Sequence, residues 1–279
     1  MDNNPKSSGN ARGRHRLPFD ILYEDRDVIV IDKPAGLLTT HTKVVGRAAR
    51  EAQLTAENLL NDYVRKGQLK SRNRVWLVHR LDRETSGVMM FAKSEEVAEG
   101  FRARWNERTE KTYVAKVQGA IKEEKGVYES YLLEDADGYK VRSVAAASGD
   151  AGGSRSSSDS RSSSGSRNSR VSSDSRDSRN SGGARKAKFA RTEWRLLDSR
   201  STSARLPPDS RSTSLVEVSL KSGRKNQIRV HFSEAGHPVI GDVKYGGPKA
   251  DRLYLHALRL RFRHPHTGKW LEFSSPSPF

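Results

Sequence analysis

A serine-rich stretch near the middle of the chain sets the strongest limit on how this sequence can fold. Ser148–Ala184 holds 16 serines and six glycines, and Val171 is its one branched aliphatic residue. A segment of this composition cannot bury enough apolar surface to offset the entropy lost on ordering, so we predict that it is disordered. The core must come from the sequence on either side of it, and we interpret 148–184 as an insertion in a loop.

Two more segments fall outside the expected core. Residues 1–17 are polar and basic, which predicts a disordered arm. A direct repeat, D-S-R-S-T-S at 198–203 and again at 209–214, separates two strand-like runs. Because the free energy of closing a loop grows slowly with its length, we interpret 198–214 as the expanded loop of a hairpin. The rest of 18–279 is long enough to bury a substantial core, and we expect a single domain there.

Short apolar runs and helix start signals predict a mixture of strands and helices in that domain. Strands are expected at Ile21–Tyr23, Val28–Ile31, Val75–Val78, Val88–Ala92, Thr112–Gln118, Thr192–Leu197, Leu215–Leu220, Leu253–Phe262 and Trp270–Phe273. Helices are expected at 47–65, after Ser94 with Val97, Phe101 and Trp105 on one face, and at Gln227–Ala235, ended by Gly236.

The chain carries a large excess of positive charge, with 51 Lys and Arg against 34 Asp and Glu and a formal net charge of +17. Ser148–Ala184 contributes six arginines and four aspartates, a net of +2, which leaves +15 for the rest of the chain. A basic folded body favours a polyanionic partner, and nucleic acid comes first among these. Charge that serves solubility alone is the alternative. If the partner is nucleic acid, the arginines of the insertion at 148–184 are further candidates for RNA contact.

The composition also excludes several classes of protein. The chain has no cysteine, which excludes a disulfide scaffold, a thiolate zinc site, an iron–sulfur cluster and a cysteine nucleophile. No apolar run approaches the ~18 residues of a membrane span. The first residues, Met1–Pro5, are too polar for a secretory signal. We therefore expect a protein of the cytoplasm with no membrane partner.

The segment His79–Gly87, H-R-L-D-R-E-T-S-G, is the strongest candidate for chemistry. It concentrates charged and hydroxyl side chains between two buried strands, which hold such a loop as a rigid platform. Asp82 would need a cationic partner to stay ionised there. The aspartic-protease D-[ST]-G does not fit, because Asp82 is separated from Thr85 and no second copy exists. The kinase H-R-D loop does not fit either, because the order differs and no D-F-G follows. A polar loop whose aspartate caps a turn is the structural alternative.

Six segments, in the family's order, resemble those of the RluA-type pseudouridine synthases. They are K-P-x-G-L at Lys33–Leu37, H-R-L-D-x-x-T-S-G at His79–Gly87, K-x-Y at Lys111–Tyr113, G-R-x-x-Q-[IL]-R-V-H at Gly223–His231, G-H-P-[IV]-x-G-D at Gly236–Asp242 and L-H-A at Leu255–Ala257. The resemblance extends from about Ile21 to the C-terminus, without the two serine-rich segments. It implies an isomerase that converts uridine to pseudouridine within RNA, with no cofactor and no metal.

The resemblance also implies the catalytic residues. Asp82 is expected to be the catalytic carboxylate, acting either as a nucleophile or as a group that assists a base. Tyr113 is expected to stack on the uracil and to help remove the proton at carbon 5. Arg229 is expected to form the ion pair that keeps Asp82 ionised and oriented.

Further residues are expected to contact the RNA. Arg80 would fill the gap that the flipped uridine leaves in its stack, and Ile228 would pack on the flipped base. Lys33 is either a loop anchor or an RNA contact, and His79 is either a structural hydrogen-bonding group or part of the RNA site. The remaining candidates are Arg224 and Lys225, with Asn226 expected to cap the following helix.

The fold implied by the resemblance is the α+β pseudouridine synthase fold, with a central, mainly antiparallel mixed sheet, flanking helices and an active-site cleft. Residues 18–279 would form the catalytic domain of a monomer that acts on ribosomal or transfer RNA. One alternative is a non-catalytic RNA-binding or ribosome-assembly factor on the same fold. A weaker one is a glycosidase-like hydrolase, which needs a second carboxylate, with Glu84 the only one nearby.

Overall fold

The computed structural model describes most of the expected domain. It covers residues 17–41, 53–66, 68, 70–135, 138, 140–144, 186–201, 212–220 and 222–279. The insertion at 148–184 lies outside the described residues, as do the predicted arm, apart from Leu17, and the middle of the loop at 198–214.

Eleven strands form one sheet. The strands are β1 (Asp20–Glu24), β2 (Val28–Lys33), β3 (Trp76–Leu77), β4 (Ser86–Ala92), β5 (Thr109–Gln118), β6 (Lys125–Glu134), β7 (Val141–Val144), β8 (Lys188–Ser201), β9 (Ser212–Leu220), β10 (Leu255–Arg263) and β11 (Trp270–Ser274). Their order is β1-β2-β4-β10-β5-β9-β8-β6-β7, while β3 pairs with β4 and β11 with β10. Of the pairs between these described strands, β10–β4 is parallel and the others are antiparallel. The predicted mainly antiparallel mixed sheet, and with it the α+β fold, is confirmed.

Helices cover both faces of the sheet. They are α1 (Ala56–Arg65), α2 (Glu95–Ala103), α3 (Trp105–Arg108), α4 (Gln227–Glu234) and a 3₁₀ turn at Val243–Tyr245. Leu60 of α1 and Phe232 of α4 belong to the core on one face, and Phe101 of α2 belongs to the core on the other. This two-sided cover explains why all seven residues of β4 are buried, as the continuous apolar run at 88–92 predicts. None of the helices in the described part of the chain is both long and apolar enough to cross a bilayer.

Local signals in the sequence account for the ends of several elements. The β1–β2 turn is closed by the Asp25 carboxylate, which accepts hydrogen bonds from the Asp27 and Val28 amides at 2.8 Å each. The Thr55 hydroxyl caps α1 by accepting from the Asn58 amide. The Ser94 hydroxyl caps α2, which confirms the predicted helix start.

Three predicted boundaries need correction. Val97, Phe101 and Trp105 pack against one core as predicted, but two helices carry them, because α2 ends at Ala103 and the non-helical φ of −130° at Arg104 precedes the separate helix α3. Within the helix predicted at 47–65, the described helix begins at Ala56. The hairpin loop predicted at 198–214 is shorter at both ends, since β8 and β9 pair as far as Ser201 and Ser212.

Gly87 allows the parallel contact between β4 and β10. It pairs with Ala257 and has a φ of +111°. A Cβ atom at this position would lie 2.2 Å from the Ala257 carbonyl oxygen, which is far below any tolerated contact. The glycine that ends the H-R-L-D-x-x-T-S-G segment therefore joins the candidate loop to the centre of the sheet.

Candidate active site

A cavity of about 640 Å³ lies where the loop before β4, strand β5 and the start of α4 meet. It brings together residues from three distant parts of the chain. Eight of the nine predicted site residues line it, namely His79, Arg80, Asp82, Tyr113, Arg224, Lys225, Ile228 and Arg229. Lys33 is the exception.

The loop that carries Asp82 is anchored on both faces of the sheet. Val78 belongs to one core and Leu81 to the other. The Thr39 hydroxyl donates a hydrogen bond of 2.8 Å to the Leu81 carbonyl, and Thr85 is buried. The Asp82 side chain retains 21 % of its exposure and faces the cavity from this rigid frame. The loop thus holds a carboxylate in position while leaving it accessible to a ligand.

Arg229 reaches Asp82 but is held by a second carboxylate. Its Nη1 lies 3.5 Å from Asp82 Oδ2, whereas its Nε and Nη2 each donate at 2.7 Å to one oxygen of Asp242. The Asp242 side chain is fully buried. The predicted contact between Arg229 and Asp82 is present, and Asp242 is a second partner that the sequence did not assign. The planar guanidinium binds Asp242 through a two-point contact, which leaves Nη1 directed towards Asp82.

The charge of Arg229 is secured by its partners. Burial lowers the pKa of its guanidinium, but the hydrogen bonds and charge of Asp242, together with the charge of Asp82, raise that pKa above its ordinary value. The Tyr245 ring lies under the guanidinium, 5.1 Å from its central carbon. Arg229 therefore remains a cation beside Asp82 at any pH at which the protein folds.

Asn226 occupies the predicted N-cap position of α4, but its side chain does not cap the helix. The residue has a left-handed backbone with a φ of 54° and makes no side-chain capping bond. Its Oδ1 instead accepts from Arg229 Nη1 at 3.2 Å, and its Nδ2 donates to the Tyr245 hydroxyl at 2.9 Å. The side chain is drawn away from the helix end because it is part of the network that orients Arg229.

Tyr113 and Ile228 supply an apolar wall to the cavity. Both are buried, at 8 % and 4 % exposure, and both belong to the core on the α4 side of the sheet. Burial, and then the negative charge of Asp82, raise the pKa of the Tyr113 hydroxyl above its ordinary value. Tyr113 is therefore a phenol and not a phenolate at neutral pH.

His79 has a structural hydrogen bond and a stacking partner. Its Nε2 accepts from the Met90 amide at 3.0 Å, and its ring stacks on Trp105 with centroids 4.7 Å apart. Burial, with the positive charge of Lys111 as a second cause, lowers the pKa of His79 to about 3. The imidazole is thus neutral, so any contact that it makes with RNA is a hydrogen bond or a stacking contact and not an ion pair with a phosphate.

Lys33 is a loop anchor, and the prediction that it contacts RNA is wrong. The side chain is completely buried. Its Nζ donates to the carbonyls of Pro34 and Leu37 at 2.8 Å and of Arg83 at 3.1 Å. The ammonium therefore ties the K-P-x-G-L segment to the loop of Asp82. Because all three of its hydrogens point at carbonyls inside the protein, it cannot reach a phosphate.

The remaining predicted cations lie at the mouth of the cavity. Arg80 is exposed. Arg224 donates to the Phe189 carbonyl at 3.1 Å, and Lys225 pairs with Glu134 at 2.5 Å. Glu84 does not line the cavity and instead contacts the neighbouring Arg83 at its exposed surface. The second carboxylate that a glycosidase needs is therefore not supplied by Glu84.

Sequence reasoning missed three members of the site. Asp242 and Lys111 stood in the quoted segments without an assigned role, and Trp105 was expected in a helix core. Lys111 lines the cavity, and its Nζ lies 5.6 Å from the centroid of the Trp105 ring. Burial, and then the charge of Arg224, lower the pKa of Lys111 to about 8. The one sequence signal for Asp242 was its position as the acidic residue that ends the G-H-P-[IV]-x-G-D segment.

The site thus places the Asp82 carboxylate beside the Arg229 guanidinium in a cavity that Arg80, Arg224 and Lys225 also line. The fold agrees with comparisons to known proteins. The family model described as RNA pseudouridylate synthase matches residues 27–234. The solved structure of human RNA pseudouridylate synthase domain containing 1 superposes with a TM-score of 0.60 at 22 % identity, covering 98 % of this chain and 87 % of the other.

Curated relatives support the same assignment. The chain is 30 % identical to the tRNA pseudouridine synthase C of Haemophilus ducreyi, over 93 % of this chain and 91 % of the relative. It is also 30 % identical to the ribosomal large subunit pseudouridine synthase D of Nitrosomonas europaea, over 94 % of this chain and 63 % of that longer relative. The chain belongs to the RNA pseudouridylate synthase family, in its RluA-type branch, and is an RNA pseudouridine synthase. Neither the fold nor the comparisons favour the non-catalytic alternative.

Proposed function

We propose that this enzyme isomerises uridines of structured ribosomal or transfer RNA, with Asp82 as the catalytic carboxylate. The observation that carries the proposal is the position of Asp82, accessible in a shared cavity, with Arg229 Nη1 at 3.5 Å and the Tyr113 side chain in the same wall. The reaction exchanges the bond between N1 and the sugar carbon C1′ for a bond between C5 and C1′. The uracil must stay enclosed while it turns, which a cavity of about 640 Å³ permits.

Asp82 is proposed to start the reaction through one of its carboxylate oxygens. In one form of the mechanism an oxygen of Asp82 attacks C1′, and the electrons of the N1–C1′ bond leave with the uracil. The uracil then rotates, and C5 displaces the carboxylate to form the new bond. In the other form, the carboxylate assists cleavage without a covalent bond. Arg229 serves both forms, because its Nη1, 3.5 Å from Asp82 Oδ2, orients the carboxylate towards the cavity.

Tyr113 has two parts in this proposal. Its ring, with Ile228, forms the apolar surface on which the detached base rests. Its hydroxyl accepts the proton of C5 and at the same time passes its own proton to the Asp82 carboxylate, since the raised pKa of Tyr113 disfavours a free phenolate. Proton number is conserved, and Asp82 finally gives the proton to solvent.

The RNA must present its uridine outside the base stack. Flipping a base takes roughly a few kcal/mol, which contacts between phosphates and basic side chains offset. Arg80 is exposed at the cavity and is long enough to occupy the vacated position in the stack. Arg224, Lys225 and neutral His79 line the same cavity, and the two cations are proposed to meet the RNA backbone there.

The relatives suggest the class of RNA. One acts on the large ribosomal subunit and another on tRNA, so both classes are proposed for this chain. We further propose that it acts in the cytoplasm, where both RNAs occur, and as a monomer. The monomer is supported by the composition of the cavity, because one chain supplies every residue of the proposed mechanism.

The test compares the wild type with Asp82→Asn and with Asp20→Asn, a matched substitution at an exposed aspartate of β1. The substrate is RNA labelled with tritium at C5 of uridine, from cells that lack the protein. Asp82→Asn is expected to bind this RNA with an affinity near that of the wild type and to release tritium at least about 10⁴-fold more slowly. Asp20→Asn is expected to match the wild type.

Mapping pseudouridine by carbodiimide adducts in RNA from cells with and without the protein then identifies the target. Tritium release by Asp82→Asn at the wild-type rate would refute the role of Asp82. Identical pseudouridine maps in the two cell lines would refute the proposed RNA classes.

A further inference from the structure

A second cavity of about 290 Å³ lies on the far side of α3 from the catalytic one. Trp105 and Asn106 line the catalytic cavity, whereas Arg104 and Arg108 line the second. Neighbouring residues of one helical turn therefore face the two cavities.

Three arginines surround this second cavity, namely Arg104, Arg108 and Arg263. None of them pairs with a carboxylate among the described residues. The acid that also lines the cavity is Glu107, and the buried His264 beside it is engaged by Asp25 at 2.7 Å. The lining thus retains an excess of positive charge. Arg263 Nε donates to the Gly268 carbonyl at 3.0 Å, which holds this guanidinium at the cavity and leaves its two Nη groups for a ligand.

An exposed tryptophan completes the second cavity. Trp270 lies at the start of β11 and keeps 41 % of its exposure, although large aromatic side chains are usually covered. The Arg261 guanidinium stacks on its ring at 4.6 Å, and Arg261 is itself held by Glu110 at 3.1 Å. The indole is therefore fixed in place while part of its surface stays open to solvent. Guanidinium groups beside a fixed, open aromatic ring are the elements that bind an unpaired nucleotide.

We propose that the second cavity binds the RNA strand that flanks the target uridine, with a base on Trp270 and phosphates on Arg104 and Arg263. This inference rests on the proposed function, because it assumes that the target uridine occupies the catalytic cavity. The strand would pass over α3. The site contributes affinity for the RNA and takes no part in the isomerisation.

The test measures the salt dependence of RNA binding. The double variant Arg104→Gln, Arg263→Gln removes two charges from the second cavity. Its matched control is Lys122→Gln, Lys125→Gln, which removes two exposed charges at the other end of β5 from α3. Binding of RNA from cells that lack the protein is followed across a KCl series for both variants and the wild type.

In the cavity variant, the slope of log affinity against log salt is expected to fall by about 0.7–0.9 for each phosphate that the protein no longer neutralises. The KM for tritium release should rise and kcat should stay unchanged, because the catalytic cavity is intact. Trp270→Ala should raise KM about fivefold or more because the base no longer stacks, and Trp270→Phe should restore most of the affinity. The control variant should keep the wild-type slope and KM.

Each outcome decides between the proposals. Equal slopes in the cavity variant and its control would overturn the second site while leaving the proposed function intact. A fall in kcat at unchanged KM would also overturn it, since the cavity would then act on the chemical step. If the wild type itself releases no tritium, the proposed function fails, and the second site fails with it as a site for substrate RNA.

Discussion

The residue that determines the geometry of the site is Asp242, although it does not line the cavity. It fixes two nitrogens of Arg229 at 2.7 Å each, so that only the remaining one points to Asp82. A guanidinium attached only to Asp82 would be free to turn on its long side chain. The two carboxylates therefore have different tasks. Asp242 positions the arginine, and Asp82 remains available to the substrate.

Asp242→Asn is therefore expected to lower both stability and turnover. Breaking a buried pair leaves Arg229 without its main partner, and the free energy of unfolding should fall by about 3–5 kcal/mol in urea titrations. At a temperature where the variant is folded, kcat should fall while the KM for RNA changes little. The exposed Asp251→Asn serves as control and should stay within about 0.5 kcal/mol of the wild type. Unchanged unfolding and kcat in Asp242→Asn would contradict the positioning role.

Lys33 makes stability depend on pH in the alkaline range. Burial lowers its pKa to about 8 in the folded protein, from an ordinary value of 10.5. Between these two values the unfolded chain binds a proton that the folded protein has released, so the stability contribution of Lys33 rises with pH from about 8 to 10. Lys111, also with a pKa of about 8, adds in the same direction.

The variant Lys33→Met removes one of these two groups. Between pH 7.5 and 10, the free energy of unfolding measured in urea is therefore expected to rise by about 1–3 kcal/mol more for the wild type than for the variant. Lys125→Met, at an exposed position, should follow the wild type. Parallel pH profiles for the wild type and Lys33→Met would show that Lys33 is not perturbed in the folded state.

At the scale of the elements, the parallel contact between β4 and β10 fixes the catalytic loop. Gly87→Ala would place a methyl group 2.2 Å from the Ala257 carbonyl oxygen, so the two strands would have to separate. Gly246 also has a positive φ, of +83°, but a Cβ atom added there would meet no other atom within 4 Å. Gly246→Ala should cost only the backbone strain of about 1–2 kcal/mol, and Gly87→Ala substantially more. Equal melting temperatures for the two variants would contradict the close approach.

Sequence patterns predicted those elements that are determined by a local signal, such as an apolar run or a helix cap. The apolar run of β4 and the serine cap of α2 are local signals, and both are confirmed. Long-range partners were not predictable in the same way. The burial of Lys33 depends on three carbonyls of two separate loops, and the pairing of Arg229 with Asp242 depends on how α4 packs against the turn at 243–245. The resemblance to the family identified Lys33 and Arg229, but it did not supply the three carbonyls or Asp242 as their partners.

At the scale of the whole molecule, the position of the insertion follows from the sheet. Strands β7 and β8 lie on the two sides of β6, and the segment 145–187 joins the end of one to the start of the other. Val144 pairs with Tyr131, and Lys188 pairs with Leu132, so both ends stand at the same level of β6. Two strand spacings separate them, which is about 10 Å. The connection therefore needs only to cross one strand.

Deletion of 148–184 is accordingly expected to leave the fold intact. The six residues that remain, 145–147 and 185–187, span up to roughly 20 Å when extended, twice the gap. If the insertion is disordered, as its composition predicts, shortening the loop lowers the closure cost by about 1–2 kcal/mol, and the melting temperature stays level or rises slightly. A control deletion of 145–187 removes the linker that crosses β6 and should destabilise the protein. A drop of many degrees for the first deletion would instead show that the serine-rich segment packs against the domain.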